Sequence, residues 1–280
     1  AAIMLAVEAF VNTTPSFNGE ILYTLVSDEE GPYGLGTDAL LLDGITDFVD
    51  AAIVPEPSGS FADIPFPCLC LGARGGWNYT VTVHGKSSHA AHPELGIDAV
   101  EEAAKIMLQL KAMETKTDPK LGKGSIAIID FKGGGAACSV PDRASFTVFR
   151  HTVQGETLGY LRQEVEEAVK RAGFKGTWNM KFREAPHPEN GGFHPYTISE
   201  SNPYTKTMQR CIQEVTGKTA AISYFPSIGD FNYLGSRAKI PTYVFGPQGV
   251  DFHGSDEYVM LESVVDTAKV IYAYLREVLT

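Results

Sequence analysis

The chain has 280 residues, enough for two folded units, and its content of 44% hydrophobic and 20% charged residues is ordinary for a globular protein. The formal net charge of −11, without basic stripes, argues against a surface that binds nucleic acid or an anionic membrane. The four cysteines lack zinc-knuckle spacing, so we expect reduced core thiols in a cytoplasmic protein.

The chain opens with a pattern typical of a helix body, apolar on nearly every side and without a capping residue. A signal peptide would carry a basic leading segment, and a membrane span would need a much longer apolar run. We therefore expect residues 1–11 to form a helix, and we expect further sequence upstream of Ala1.

The beginning and the end of the chain both alternate strands with helices. In the first part the pattern predicts strand 21–26, helix 35–42 and strand 51–54. In the last part it predicts a helix from Pro203 to Gly217, strands 220–225 and 242–245, and helix 260–279. This alternation implies an α/β fold with a mainly parallel sheet that is covered by helices.

The middle of the chain has a different pattern, with strands that alternate apolar and polar residues as half-exposed strands do. Helices 97–113 and 156–172 are predicted among strands 77–83, 125–131, 143–149 and 177–182. The order β-α-β-β-α-β is typical of a ferredoxin-like α+β unit. We therefore predict an α/β domain built from residues 1–74 and 184–280, with the α+β unit inserted as residues 75–183.

An acidic triplet, Asp28 to Glu30, follows the apolar run that we predict to be a strand. Adjacent carboxylates at the end of a buried strand repel each other and lose hydration, so a positive group is expected beside them. A metal ion is one candidate, with one carboxylate as its ligand and the other as a proton shuttle. A solvated turn is the alternative, because glycine and proline follow at once.

Two further candidate ligands come directly after predicted strands. Glu56 follows strand 51–54, and His253 lies in the segment after strand 242–245. The carboxyl ends of parallel strands are the usual location of a site, and carboxylates with an imidazole suit zinc. Glu56 could instead be an exposed loop acid, and His253 could be a histidine that caps a turn.

The chain resembles the dinuclear zinc hydrolases that include acetylornithine deacetylase, succinyl-diaminopimelate desuccinylase, aminoacylase and glutamate carboxypeptidase. Five motifs carry the resemblance, in family order: D-E-E (Asp28 to Glu30), E-P-S (Glu56 to Ser58), G-K-x-S-H-x-x-x-P-x-x-G (Gly85 to Gly96), V-P-D with a following arginine (Val140 to Arg150) and G-P…H-x-x-D-E, which ends at Glu257. Together they span nearly the whole chain, and the inserted unit lies where that family carries its lid and dimerisation domain.

The resemblance implies metal-assisted hydrolysis of amide bonds in N-acyl amino acids or small peptides. Glu29 resembles the general base that takes a proton from the attacking water. Glu30 and His253 resemble ligands of one zinc ion, and Glu56 resembles a ligand of the other. Residue types do not decide between zinc and cobalt or manganese.

The same resemblance implies roles for residues of the lid and of a substrate loop. His89 resembles the lid residue that reaches the partner subunit's site in a homodimer and stabilises the oxyanion. Arg150 resembles a guanidinium that grips the substrate carboxylate. Gly229 and Asp230 lie where the family has a glycine-rich substrate loop. A free edge on strand 77–83 would be compatible with pairing to a second copy.

Two expected metal ligands, a histidine in an H-x-D motif and a bridging aspartate, are missing before the acidic triplet. The first histidine in the sequence is His84, and the only aspartate before Glu29 is Asp28. A missing upstream segment would explain this, and a non-catalytic dimeric relative is the alternative. A third possibility is a carrier domain that binds carboxylates through Arg150, although Arg150 could also pair with Asp142 or Glu156 on the surface.

Overall fold

Helices and strands alternate along most of the chain, which the computed structural model describes over residues 1–30, 34–184 and 192–280. The helices are α1 (Ala2–Thr13), α2 (Leu35–Leu42), α3 (Ser58–Phe61), α4 (Ala99–Lys111), α5 (Leu158–Arg171), α6 (Pro203–Thr216) and α7 (Leu261–Leu279). The strands are β1 (Ala52–Val54), β2 (Cys68–Ala73), β3 (Gly75–His84), β4 (Thr117–Asp118), β5 (Gly122–Lys123), β6 (Ser125–Gly133), β7 (Arg143–Thr152), β8 (Thr177–Phe182), β9 (Tyr196–Thr197), β10 (Ala221–Phe225), β11 (Thr242–Val244), β12 (Gly249–Val250) and β13 (Tyr258–Val259).

Local sequence signals explain where the long helices begin and end. The Asp98 side chain caps the first turn of α4, where it accepts hydrogen bonds from two backbone N–H groups. The Asn202 side chain caps α6 in the same way, with Pro203 at the first helical position. Gly217 ends α6 at φ 67°, a left-handed conformation that glycine adopts without strain. The predicted helix from Pro203 to Gly217 is confirmed.

The chain divides into two units. One, which we call the α/β unit, comprises Ala1–Arg74 and Phe193–Thr280, and the other, the inserted unit, comprises Gly75–Gly192. The divisions thus fall after residues 74 and 192, whereas we expected them after residues 74 and 183.

The α/β unit contains a five-stranded mixed sheet. Its strand order is β1-β11-β2-β10, with β9 beside β2. The pairs β1/β11 and β2/β10 are parallel, while β2 pairs antiparallel with β11 and β9. The predicted α/β class is confirmed, but the sheet is less uniformly parallel than we expected. Strand β2 is buried along its whole length and packs in the core with Met208 and Ile212 of α6 and Val270 of α7.

The predicted strand 21–26 is wrong. These residues have no regular structure, and Leu25 is 76% exposed. An apolar run forms a strand only where a neighbouring strand offers partners for its backbone groups. No strand of the described ranges pairs with this segment. The acidic triplet therefore follows an irregular segment, and the two residues that suggested a turn after it, Gly31 and Pro32, lie outside the described residues.

The inserted unit is a four-stranded antiparallel sheet with α4 and α5 packed on one face. The strand order β6-β7-β3-β8 and the connectivity β-α-β-β-α-β confirm the ferredoxin-like prediction. Alternate residues Tyr79, Val81 and Val83 of β3 are buried against these helices. Since β3 pairs on one side with β7 and on the other with β8, the predicted free edge on this strand is wrong. The edges of this sheet are β6 and β8.

The cysteines only partly match the expectation of four core thiols. All four are free, and Cys68, Cys70 and Cys211 are buried, but Cys138 is exposed in the loop before β7. That loop crosses the surface, where a small side chain finds no apolar partners. Among the described residues, no helix is both long and apolar enough to cross a membrane.

Candidate functional site

Glu56 and the segment that carries His253 leave the sheet of the α/β unit side by side. Strands β1 and β11 are parallel neighbours, and the last residue of one, Val54, lies opposite the last residue of the other, Val244. Both following segments therefore start at the same edge of the sheet. Gly246 makes this close approach possible, because a Cβ there would clash with backbone oxygens on the segment that contains Glu56.

A row of phenylalanine rings holds the loops of this edge together. Phe252, just before the candidate histidine ligand, stacks on Phe61 of α3 with a ring-centroid distance of 4.5 Å. Phe61 also packs on Phe225 at 4.9 Å, and Phe225 packs on Phe231 at 5.0 Å. Aromatic pairs at these distances add stability beyond the area that they bury. No spacing in the sequence indicates this row, because its members come from four separate segments.

Glu30 and His253 lie next to each other, as a shared metal ion would require. Glu30 Oε2 is 3.7 Å from His253 Nε2, and the side chains are 80% and 72% exposed. The two residues are far apart in sequence, so this contact depends on the fold. Glu30 is not a first-turn carboxylate of α2, because that helix begins at Leu35 and carries Asp38 in its first turn.

Like charges concentrate around Glu29. Burial and then the carboxylates of Glu56, Asp230 and Glu30 together raise the pKa of Glu29 to about 7, while His253 opposes them. The pKa of Glu56 is also raised, first by burial and then by Glu30 and Asp230. The structure thus brings together four candidate acids and one candidate imidazole from four separate segments.

Asp230 is the most buried of these acids. Its Oδ2 accepts a hydrogen bond of 2.6 Å from the Thr37 hydroxyl, whereas its buried Oδ1 has no hydrogen-bond partner among the described residues. Burial raises the pKa of Asp230, the Thr37 hydroxyl lowers it, and the nearby Asp28 raises it. Gly34, at φ 55°, leaves room for this carboxylate, since a Cβ there would clash with Oδ1. No motif in the sequence indicated Thr37.

Gly229 lies in the tight turn before Asp230. Its backbone N–H donates to Asn232 Oδ1 at 3.0 Å, so this donor is already used within the protein. A Cβ at Gly229 would press into the Phe231 ring, which explains the need for glycine at this position.

The donor set suits a divalent cation, although its members are not in ligating positions. Carboxylates and an imidazole are the usual protein ligands of zinc. An acidic cluster with a buried carboxylate oxygen that lacks a partner is an environment that a cation would stabilise. Within the described ranges, however, no three His, Cys, Asp or Glu side chains come close enough to hold one ion. Glu30 and His253 form a pair, and Glu30 is close enough to Glu56 to raise the pKa of that carboxyl group.

His89 belongs to the inserted unit, on an exposed loop between β3 and α4. The loop is tied to the segment before β7, since the Ala90 N–H donates to the Cys138 carbonyl at 2.8 Å. The Ala91 N–H donates to His89 Nδ1 at 3.1 Å. Because Nδ1 is an acceptor in this contact, the neutral ring carries its proton on Nε2. His89 thus presents a hydrogen-bond donor at the outer end of its ring.

Arg150 does not fit its predicted role in substrate binding. Its side chain is fully buried, and the guanidinium lies 2.6 Å from Glu156 and 3.0 Å from Glu164. It also donates to the His151 carbonyl. A guanidinium that is buried and occupied in this way has no surface to offer a substrate carboxylate. The alternative of a pair with Glu156 is closer to the structure, but the pair is buried.

Comparisons with known proteins agree with this architecture. A family model described as a peptidase dimerisation domain matches residues 71–177. A succinyl-diaminopimelate desuccinylase of Bordetella avium is 29% identical over 282 residues, which cover 97% of this chain and 70% of that protein. One from a Psychrobacter species is 24% identical and covers 100% and 68%.

Solved structures of peptidases share the fold. A tripeptidase from Staphylococcus aureus superposes with a TM-score of 0.79 at 17% identity, covering 99% of this chain and 69% of the other. A dinuclear metal-binding peptidase of the M20 family from Bacillus subtilis superposes with a TM-score of 0.67 at 15% identity, covering 99% and 70%. The chain thus shares its fold with M20 peptidases, and it is similar in sequence to desuccinylases and to a peptidase dimerisation domain.

Proposed function

We propose that this protein hydrolyses amide bonds in N-acyl amino acids or small peptides, with Glu29 as the general base. The observation that supports this most is the convergence of Glu29, Glu30, Glu56, Asp230 and His253 at one edge of the α/β unit. Relatives named as desuccinylases and a structural neighbour named as a tripeptidase support the substrate class. Both deacylase and peptidase activity fall within the proposal.

In this reaction, each residue has a role that follows from its position in the structure. Glu29, with a pKa of about 7 raised by burial and by neighbouring carboxylates, is suited to accept a proton from an attacking water near neutral pH. Asp230 lies beside it in the substrate loop. In a homodimer, the Nε2–H group of His89 would reach the partner subunit's site and donate a hydrogen bond to the oxyanion that forms on the scissile carbonyl there. Arg150 has no part in the proposal, since it is buried.

Glu30 and His253 would hold one divalent cation and Glu56 would contribute to a second. Zinc, cobalt and manganese all accept this donor set. The bound ions would supply Lewis acidity, which polarises the scissile carbonyl and makes water easier to deprotonate.

The test is Glu29→Gln, assayed with zinc on acetylornithine, succinyl-diaminopimelate, acyl-glutamate and tripeptides. Loss of a general base lowers kcat by about 10²- to 10⁴-fold, while zinc content stays the same. Glu94→Gln is the matched control, since Glu94 is an exposed acid in the inserted unit that contacts only His92 within ion-pair distance among the described residues. Full activity in the Glu29 variant would contradict the proposal.

A non-catalytic dimeric relative is the second candidate. It is favoured by the absence, in the described ranges, of three potential ligands positioned around one ion. Elemental analysis of the purified protein separates the two candidates. Zinc well below one equivalent per chain, together with no turnover of any of these substrates, would favour the non-catalytic protein.

We also propose a homodimer that forms through the inserted unit, in a cytoplasmic protein. The match to a dimerisation domain supports the dimer, and the free buried thiols support the location. Of the two edge strands, β6 is the more apolar, with Ile129 53% exposed and Phe131 38% exposed. Ile129→Lys should therefore lower the dimer fraction in sedimentation experiments, because a charge on an edge strand opposes pairing. Asn179→Lys on β8 is the control, and equal effects would argue against β6.

A further inference from the structure

The polypeptide leaves the α/β unit after Arg74 and returns to it at Phe193. Both connecting segments pass beside the same buried side chain, Asn232. Its Nδ2 group donates to the Arg74 carbonyl at 2.9 Å and to the His194 carbonyl at 2.9 Å. A single carboxamide therefore ties the outgoing segment to the returning one.

The other end of the same carboxamide reaches the candidate site. Asn232 Oδ1 accepts the Gly229 N–H at 3.0 Å, and the Asn232 N–H donates to the Gly229 carbonyl at 3.0 Å. The next N–H, of Tyr233, donates to the Asp230 carbonyl at 3.1 Å. The turn that carries the Asp230 carboxylate is thus closed on Asn232.

Only a carboxamide satisfies this arrangement. Asn232 is fully buried, both Nδ2 hydrogens face carbonyl oxygens, and Oδ1 faces an N–H. An aspartate would place a carboxylate oxygen against two carbonyl oxygens, and an apolar residue would remove all three hydrogen bonds that this side chain makes to the backbone. The position is occupied by a residue with two donors and one acceptor in the required places.

We propose that Asn232 is a positioning residue that couples the path of the two connecting segments to the turn bearing Asp230. A shift of either segment moves the Asn232 side chain, and the Asn232 backbone moves the turn. The orientation of the Asp230 carboxylate then depends on how the chain enters and leaves the inserted unit. The role of Asp230 at the substrate rests on the proposed function. The coupling itself can be measured without any catalytic turnover.

The test is residue-resolved hydrogen exchange on Asn232→Asp. This variant keeps an acceptor for the Gly229 N–H but removes both donors to the connecting segments. The reporters are the amide of Arg74, which donates to the Phe225 carbonyl at 3.0 Å, and the amide of Tyr233 in the turn. Each exchange rate is divided by that of interior amides of β2 in the same variant, so that a global loss of stability cancels.

Coupling predicts that both ratios rise at least tenfold in Asn232→Asp, although the turn keeps its own acceptor. Asn232→Ala, which removes both ties, should raise both ratios as a positive reference. Asn202→Ala, which removes a helix cap elsewhere in the α/β unit, should leave both unchanged. The proposal is overturned if only the Arg74 ratio rises above its value in the unmodified protein, if only the Tyr233 ratio does so, or if neither ratio changes.

Discussion

Two clusters of charged side chains, one in each unit, are organised in opposite ways. In the inserted unit, Arg150 is buried between Glu156 and Glu164, and its guanidinium makes hydrogen-bonded ion pairs with both glutamates. In the α/β unit, burial and the carboxylates that gather around Glu29 raise its pKa to about 7, with His253 as the opposing group. The first cluster is complete within the protein, whereas the second would be stabilised by a cation from outside.

Structural charges differ from functional ones in how completely the protein pairs them. A buried ion pair with all its hydrogen bonds made is a fixed part of the core, and it loses much free energy only when one partner is removed. A group of like charges costs free energy as it stands, and such strain is typical of sites that bind or react. The family resemblance implies a role for Arg150 in substrate binding, but the sequence shows only that this residue is charged and not that its side chain is buried.

The largest expected effect is on the stability of the inserted unit, through the buried cluster of Arg150 with its two glutamates. Arg150→Met leaves two buried glutamates without their cation and should lower the free energy of unfolding of the inserted unit by about 3–5 kcal/mol. Urea unfolding followed by tryptophan fluorescence measures this directly, because both tryptophans, Trp77 and Trp178, lie in that unit. Arg143→Met, at an exposed position of the same strand, is the matched control.

The result to look for is a large difference between the two arginine variants. If Arg150→Met unfolds at the same urea concentration as Arg143→Met, the buried cluster contributes little, and the contrast between the two clusters fails. A loss of substrate affinity in Arg150→Met without a loss of stability would restore the original assignment of this residue to substrate binding.

Most of the scaffold was predictable from the sequence, because apolar periodicity and capping residues act locally. The ends of α6 and the strand β8 follow from such signals. The segment 21–26 was mispredicted because its strand character depends on a neighbour that the pattern cannot supply. Of the two glutamates that pair with Arg150, the sequence indicated Glu156 but not Glu164. Glu164 reaches Arg150 only when α5 packs on the sheet.

Of the long-range contacts of the site, the sequence indicated the pair of candidate ligands but not the residues that support them. The motifs indicated Glu30 and His253 as a pair, and they lie 3.7 Å apart. The supports of the site carried no motif: Thr37 contacts Asp230 across 193 positions of sequence. Such side chains have ordinary types at unremarkable positions, and only the fold gives them their roles.

The next effect concerns the carboxylate that is held most tightly in the second cluster. Thr37→Val keeps the side-chain shape but removes the 2.6 Å hydrogen bond to the buried Asp230. A hydrogen bond to a charged group contributes about 1.5–3 kcal/mol, so thermal unfolding followed by circular dichroism should show a loss of about 2 kcal/mol. The matched control is Thr147→Val, which removes the 2.9 Å contact between two neutral hydroxyl groups, those of Thr147 and Thr80.

The control should lose clearly less, because neutral hydrogen bonds contribute about 1 kcal/mol. Equal losses would mean that Asp230 is not charged in the folded protein, or that the turn around it relaxes freely. Either outcome would weaken the view that like charges are held together at this edge of the sheet.

The smallest expected effect is on the affinity for zinc, which tests whether the carboxylate cluster of the α/β unit binds a cation. His253→Ala should weaken zinc binding in calorimetric titrations at least tenfold, which is about 1.4 kcal/mol. His92→Ala is a close control, because His92 lies 3.4 Å from Glu94 and both are about as exposed as the His253–Glu30 pair. The two pairs differ in their surroundings, since only His253 stands beside further carboxylates. Equal weakening by both variants would show that an exposed histidine–glutamate pair is enough to bind zinc, so that the clustered acids add nothing to the affinity.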